Sequence, residues 1–297
     1  MNPALGPADV TVVIATRDRR EQLLATLARL AALPEAPPVI VVDNRSTDGT
    51  AAAVAEAWPD VTLIDLPHNQ GAAARTVGVR VADTPLVAFA DDDSWWAPGA
   101  LARATDHFAT HPRLAVLAAQ IRVEPGGRLD PASAEMGRSP LKAERPLPGP
   151  AVLGFVACGA VVRREAYLEV GGFAPLLHFP CEERLLALDL AAAGWDLAYA
   201  HDVVAHHQPA PTPKNGGDRR RALIQRNDLL ITWMRRPWRL AARATLATAR
   251  RARRDLAARA ALLGTLRRLP AALAERHRLP REIEARMRRL EGGAAAP

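Results

Sequence analysis

The sequence predicts an α/β fold, a Rossmann-like and mostly parallel sheet flanked by helices, with basic helices appended at the C-terminal end. Three observations lead there. Short apolar runs rich in β-branched residues alternate with helix-period patterns over residues 10–90, polar residues follow each run directly, and from residue 235 onward the composition turns to Ala, Leu and Arg.

Residues 10–14, 39–42, 61–64 and 86–90 have the length and residue types of buried strands. Between them Leu23, Leu24, Leu27 and Leu30 recur at helical spacing, residues 51–57 are alanine-rich and helix-forming, and residues 72–81 carry apolar side chains on one face. Such alternation implies right-handed crossovers between parallel strands, and sheets of this kind bind ligands beyond the carboxyl ends of their strands. A fifth strand is expected over 114–123, then a loop rich in Pro, Gly and charge over 124–150, long enough to be a lid or to meet an acceptor. Residues 151–162 read as another strand, 183–193 as a helix ended by Gly194, and 195–200 and 203–205 as two short closing strands. The chain thus divides into a main α/β domain over 1–234, with halves at about 9–123 and 124–234, and a helical tail over 235–297.

Over 297 residues, 49% are hydrophobic and 24% charged, which excludes a disordered or collagen-like chain. Two cysteines, Cys158 and Cys181, are too few for a disulfide framework, and no charged segment followed by an apolar run opens the chain, so a cytoplasmic location is expected. The uncharged stretch 146–162 is interrupted by Pro146, Pro148, Gly149, Pro150, Gly154 and Gly159 and cannot be a spanning helix. Of the net charge of +7, residues 235–297 hold 17 arginines against five acids. The basicity belongs to the tail, and the remainder is net acidic.

The strongest chemical signal is FADDDSWW, where Asp91, Asp92 and Asp93 leave a buried strand together. Three adjacent carboxylates repel one another unless a cation sits among them, so a divalent metal completed by phosphate oxygens is one reading. The other is that Ser94 or Asp93 caps a helix starting near Pro98. Asp43 follows VIVV and faces the same crevice, while Ser46, Thr47 or Asp48 can cap the next helix; an ordinary capped turn fits equally. Asn69, Gly71 and Arg75 suit an anion site at a helix start, or Arg75 is a solvated surface residue. Trp95 and Trp96 either offer an aromatic face to a sugar or belong to the core.

Taken together, VVIATRDR, VVDNRSTDGT, HNQGAAARTVGV, FADDDSWWAPGAL, CGAVVRREAYLEVGGF and PCEERLLALDLAAAGW resemble the family 2 glycosyltransferases, inverting enzymes of the A-type glycosyltransferase (GT-A) fold, in order over most of residues 9–238. The resemblance implies that Thr16, Arg17 and Asp43 hold the nucleotide base and ribose, and that Arg75 approaches the donor diphosphate. Asp91 and Asp93 become the acids of the D-x-D motif, Asp91 nearer the ribose and Asp93 on an Mn or Mg ion, with Asp92 counted among the donor-binding residues. The ion neutralises charge on the leaving nucleoside diphosphate. In relatives a histidine after a late strand completes the metal shell, which points to His206 ahead of His207; the rival reading is a pair of surface histidines. Glu182-Glu183 stands where the family places Glu-Asp, so Glu183 is assigned as the base that deprotonates the acceptor hydroxyl and Glu182 as its orienter or an acceptor contact. Alternatively the two are helix N-terminal acids favoured by the dipole. The implied partners are a UDP-, GDP- or dTDP-sugar and a carbohydrate or lipid-linked acceptor, contacted by Trp95, Trp96 and residues of 124–150 and 206–220.

In the tail, Arg250/Arg251, Arg253/Arg254 and Arg267/Arg268 alternate with Leu246, Leu256, Leu262, Leu263 and Leu266. This suits lying on an anionic membrane surface, at the inner face of the plasma membrane, and equally suits helices packed on the catalytic domain with a solvated Arg face. Nucleic-acid binding is not expected, because interleaved aromatics and recognisable modules are missing. Two rivals remain. A sugar nucleotidyltransferase would need a Gly-rich first loop where Ala15-Thr16-Arg17-Asp18 stands; a noncatalytic polyanion or lipid binder would have a degenerate crevice.

Overall fold

The computed structural model describes residues 5–6, 9–209 and 216–293. Its first half follows the expected alternation: β1 (Val10–Thr16), α1 (Arg20–Ala31), β2 (Val39–Asp43), α2 (Thr50–Ala57), β3 (Thr62–Asp65), α3 (Ala74–Val81) and β4 (Leu86–Ala90). These strands pair in parallel in the order β3-β2-β1-β4. Their near-continuous hydrophobicity has a cause. Val13, Val42 and Phe89 join the core on one face, with α3, while Val12, Ile14, Ala88 and Ala90 join the core under α1 on the other. In β1, β2 and β4 alternation in burial is absent because both faces are covered, whereas β3, at the sheet edge, is half-exposed and corrects the expectation of a buried strand there.

The second half comprises β5 (Ser94–Trp96), α4 (Ala100–Thr110), β6 (Leu114–Val123), β7 (Arg128–Leu129), α5 (Pro131–Met136), β8 (Ala160–Arg163), α6 (Arg164–Glu169), α7 (Glu182–Ala192) and β9 (Asp196–His207). It continues the sheet as β4-β8-β6-β9-β5, with β8 antiparallel to both neighbours and β7 pairing beside β6. Three sequence expectations are corrected here. Residues 151–162 are not one strand: Ala151 makes an isolated bridge to Ala198, residues 157–159 form a 3-10 turn, and only Ala160–Arg163 pairs in the sheet. Val152, Leu153 and Phe155 are apolar because they fill the core from an irregular segment. The two closing strands are one, β9, whose register shift opposite Ala119 and Gln120 marks a bulge. The 124–150 loop also carries structure, since Asp130 accepts from the Ala132 amide (2.8 Å) and caps α5 with Pro131 at its first position.

Four helices end the chain: α8 (Gly216–Arg235), α9 (Trp238–Arg251), α10 (Leu256–Ala274) and α11 (Arg281–Gly293). Helix α8 packs on α9 and α10, and α11 returns to α7, burying Leu279 and Ile283. Arg235 forks onto Asp189 of α7 (2.5 and 2.8 Å), and Arg236 forks onto Glu284 of α11 (3.0 and 3.1 Å). A bidentate guanidinium–carboxylate pair in a half-dry setting fixes geometry as well as charge. Part of the tail is therefore packed on the preceding domain. Among the described residues no helix is long and apolar enough to cross a membrane.

Candidate active site

The crevice begins where β1 and β2 end in register, Thr16 beside Asp43. Asp43 is buried and accepts from the Ser46 amide (3.0 Å) and hydroxyl (2.5 Å), which turns the chain into α2. Asp18 accepts from the Thr47 amide (2.7 Å) and hydroxyl (3.1 Å), so the loops after β1 and β2 are tied together. Arg17 points outward beside Asp18 at 3.3 Å, with half its side chain exposed. Asn44 donates to the Gly71 carbonyl (2.9 Å) and accepts from the Gln70 amide (2.7 Å), placing the 3-10 turn that opens α3. Gly71 is needed there: its φ is +61°, and a Cβ would collide with the His178 carbonyl and ring.

The three acids at the end of β4 have separate environments. Asp92 turns inward, accepting from the Thr16 hydroxyl (3.0 Å) and pairing with Arg19 Nε (2.7 Å). Burial, partly offset by Arg19, pushes its carboxyl up to about 6. Asp93 meets Arg19 Nη2 at 2.7 Å, and Asp91 pairs with the buried Arg75. The Ser94 hydroxyl accepts from the Asp91 amide (2.7 Å), but no helix starts here; Ser94 opens β5. The repulsion that seemed to demand a cation is therefore relieved by Arg19 and Arg75, a correction to the premise behind the metal. Asp92 likewise faces the interior and is corrected from a donor contact to a support beneath Thr16. Arg19 was not singled out from sequence; the pairing of β1 with β4 (Ile14 beside Ala90) is what carries it across to the acids.

The histidines are also corrected. Successive side chains on β9 point to opposite faces. His207 Nε2 lies 3.4 Å from Asp93 Oδ1, whose hydrogen bond raises the imidazole above its ordinary range. His206 instead meets Glu124 (2.9 Å) and stacks on Trp95, rings 5.4 Å apart at 10°. Among the described residues no ready-made group of three metal-ligating side chains is assembled. Asp91, Asp93 and His207 nonetheless offer the oxygen and nitrogen donors that suit Mg or Mn, each carboxylate now shared with a guanidinium. Trp96 is wholly buried among α4 and β9 residues, so it is core and not acceptor lining. Trp95 lies half-buried with the Arg29 guanidinium 3.6 Å from its ring centre. Residues 210–215 of the expected acceptor segment 206–220 lie outside the described residues.

Opposite the strand ends sits the N-terminus of α7. Glu182 is 1% exposed, its Oε2 has no hydrogen-bond partner among the described residues, and burial reinforced by Glu183 pushes its carboxyl up to about 8. Glu183 is less enclosed; burial raises it too, opposed by its own amide, Arg75 and the Ala157 amide. Arg75 joins the two sides. Burial works against its charge, but Asp91, Glu182 and Glu183 together raise its pKa, and its Nε has no partner among the described residues. The α7 start is held from α8: Asn227 donates to the Leu177 (3.0 Å) and Pro180 (2.5 Å) carbonyls, and Arg226 to Leu177 (2.8 Å). Nothing in the local sequence of α8 signals this role.

Residues 11–171, more than half of the chain, match the family model for Glycosyl transferase family 2. An N-acetylglucosaminyl-diphospho-decaprenol L-rhamnosyltransferase of Mycobacterium tuberculosis is 28% identical over 276 residues, spanning 80% of this chain and 90% of that protein. Among solved structures, the mannosyltransferase PcManGT of Pyrobaculum calidifontis, in complex with GDP-Man and Mn2+, superposes with a TM-score of 0.57 at 21% identity over 100% of this chain and 79% of the other. TarS 1–349 of S. aureus, in complex with UDP-GlcNAc, gives 0.58 at 18% identity over 75% and 66%. The parallel strands ending on an acid-lined crevice, the GT-A architecture and the family match agree: this chain belongs to the family 2 glycosyltransferases.

Proposed function

We propose that this glycosyltransferase moves a sugar from a UDP-, GDP- or dTDP-sugar, with inversion, to a hydroxyl of a lipid-linked acceptor, using Mn or Mg. The observation that carries the reading is the position of Arg75, a buried cation bonded to Asp91 on one side and within electrostatic reach of Glu182 and Glu183 on the other. A donor diphosphate drawn to Arg75 lies between the strand-end acids and the helix-end acids. The nucleotide side is then Thr16, Arg17 and Asp43, whose loops are tied to each other.

In this reading Asp91, Asp93 and His207 would hold the cation, which would supply positive charge to offset that of the leaving diphosphate. Glu183, the more accessible of the paired acids, takes the acceptor proton as the acceptor oxygen bonds to the anomeric carbon. The bond to the diphosphate breaks on the opposite face, and its electron pair departs with the phosphate toward Arg75. Glu182, protonated at neutral pH by its burial, positions Glu183 and keeps a second negative charge out of the site. The Mn2+ and GDP-Man of the Pyrobaculum enzyme support the cation and the donor class, and the diphospho-decaprenol substrate in the mycobacterial relative's name supports the acceptor class. Such an acceptor implies work at the inner face of the plasma membrane.

The test is a donor screen by mass spectrometry on wild type, Asp93→Ala and Glu183→Gln. Both variants are expected to retain the fold and lose transfer by at least about 1,000-fold. Transfer at the wild-type rate in either variant removes that residue from the mechanism.

A further inference from the structure

We propose that the outer face of α10 docks on an anionic lipid surface. Leu256, Leu263, Leu266 and Leu273 are 76, 51, 50 and 45% exposed. Their spacings of seven, three and seven residues put them in one stripe about 100° wide on an α-helix. The reverse face, Ala257, Ala258, Ala261 and Thr265, is buried against the rest of the protein; the Thr265 hydroxyl lies 3.5 Å from the Arg226 carbonyl of α8. The helix is thus amphipathic twice over, with small residues turned inward and large leucines turned out.

What covers the stripe is indicated by charge. Arg259 and Arg267 are exposed on the same side as the leucines, and their long stems can lie along an apolar layer while the guanidinium groups reach phosphates. Residues 235–297 are strongly cationic and the rest of the chain is net acidic, so the excess positive charge that would be drawn to an anionic surface belongs to this segment. The adjacent α9 repeats the composition, with Trp238 and Leu246 61 and 52% exposed. A second protein would be expected to bring acidic side chains to such a face, whereas a bilayer supplies both the apolar layer and the anions.

The location fits the lipid-linked acceptor, a step that rests on the reading of function above. Arg268 of α10 shares a groove with Pro175, Leu176 and His178, in the loop that leads directly into Glu182 and Glu183. Arg268 is on the inner side of α10, so a bilayer against the outer face stands one helix diameter, ~10 Å, from the acceptor-side loop.

The test is flotation of the full chain with vesicles of phosphatidylcholine alone or mixed with phosphatidylglycerol. Wild type is expected to float with the mixed vesicles only, and less so in high salt. Replacing the four leucines with serine is expected to lower partitioning by about 100-fold, with circular dichroism unchanged. Arg259→Glu with Arg267→Glu, which leaves the leucines in place, is expected to lower it about tenfold. Absence of wild-type flotation overturns the proposal, as does undiminished flotation of the leucine variant. So does a wild-type dimer that the leucine variant dissolves. Flotation involves no turnover, so an enzyme that floats but transfers nothing refutes the function above, and one that transfers to a soluble acceptor but does not float refutes only the docking.

Discussion

Glu182 is a carboxylic acid enclosed at 1% exposure beside a second carboxylate, and its pKa of about 8 stands well above the ordinary 4.5. Between those two values the folded protein holds a proton that the unfolded chain has released. Stability therefore falls as pH rises through this window, and levels off above about 8. The slope approaches about 1.4 kcal/mol per pH unit, so the cost between about pH 5.5 and 7.5 is roughly 2–3 kcal/mol. Glu182→Gln places a neutral isostere in the same space and removes this dependence. Urea unfolding of both proteins across that range is expected to show wild type losing ground to the variant with rising pH, by about 2 kcal/mol or more at the alkaline end. A difference between the two that does not change with pH would show that Glu182 is ionised throughout, and the protonated-partner role would fall.

Trp96→Ala is expected to cost about 3–5 kcal/mol of stability in urea unfolding, as for a large core residue; an unchanged stability with a raised acceptor KM would return Trp96 to the acceptor site. Arg19→Ala leaves Asp92 and Asp93 without their shared cation, and because Arg19 is about one-third exposed the expected loss is about 2 kcal/mol. Equal stability would mean that solvent already screens the acids. His207→Ala is expected to weaken activation by Mn by about tenfold or more while His206→Ala changes it little. The reverse order in a metal titration would restore His206.

The first half of the sheet was legible because its logic is local. Each strand of the β1-β4 set is a short apolar run ending in a polar residue, and parallel pairing in register makes those ends converge without further information. Arg75 and Glu183 stand out by an equally local signal, their position at helix starts that face the strand ends. What sequence spacing hid is non-local. Arg19 reaches Asp92 and Asp93 across more than 70 residues, and Asn227 holds the Pro180 carbonyl across 47. The alternation of β9 puts His207 and not His206 beside Asp93, a placement that depends on register, which two adjacent histidines cannot reveal. Residues 151–159 misled because apolarity reports burial, and an irregular buried segment carries the same composition as a strand.

The return of α11 to α7 gives the chain an economy with a cost in modularity. The helix whose first turn bears Glu182 and Glu183 bears in its second turn Asp189, gripped by Arg235, and along its flank the side chains that meet α11. Trimming the protein after residue 234 would strip the acid-bearing helix of its brace, so the shortest working enzyme includes the final helix. An insertion between Trp238 and Arg281 is expected to be tolerated only where it leaves α10 on α8 and lets α11 return to α7.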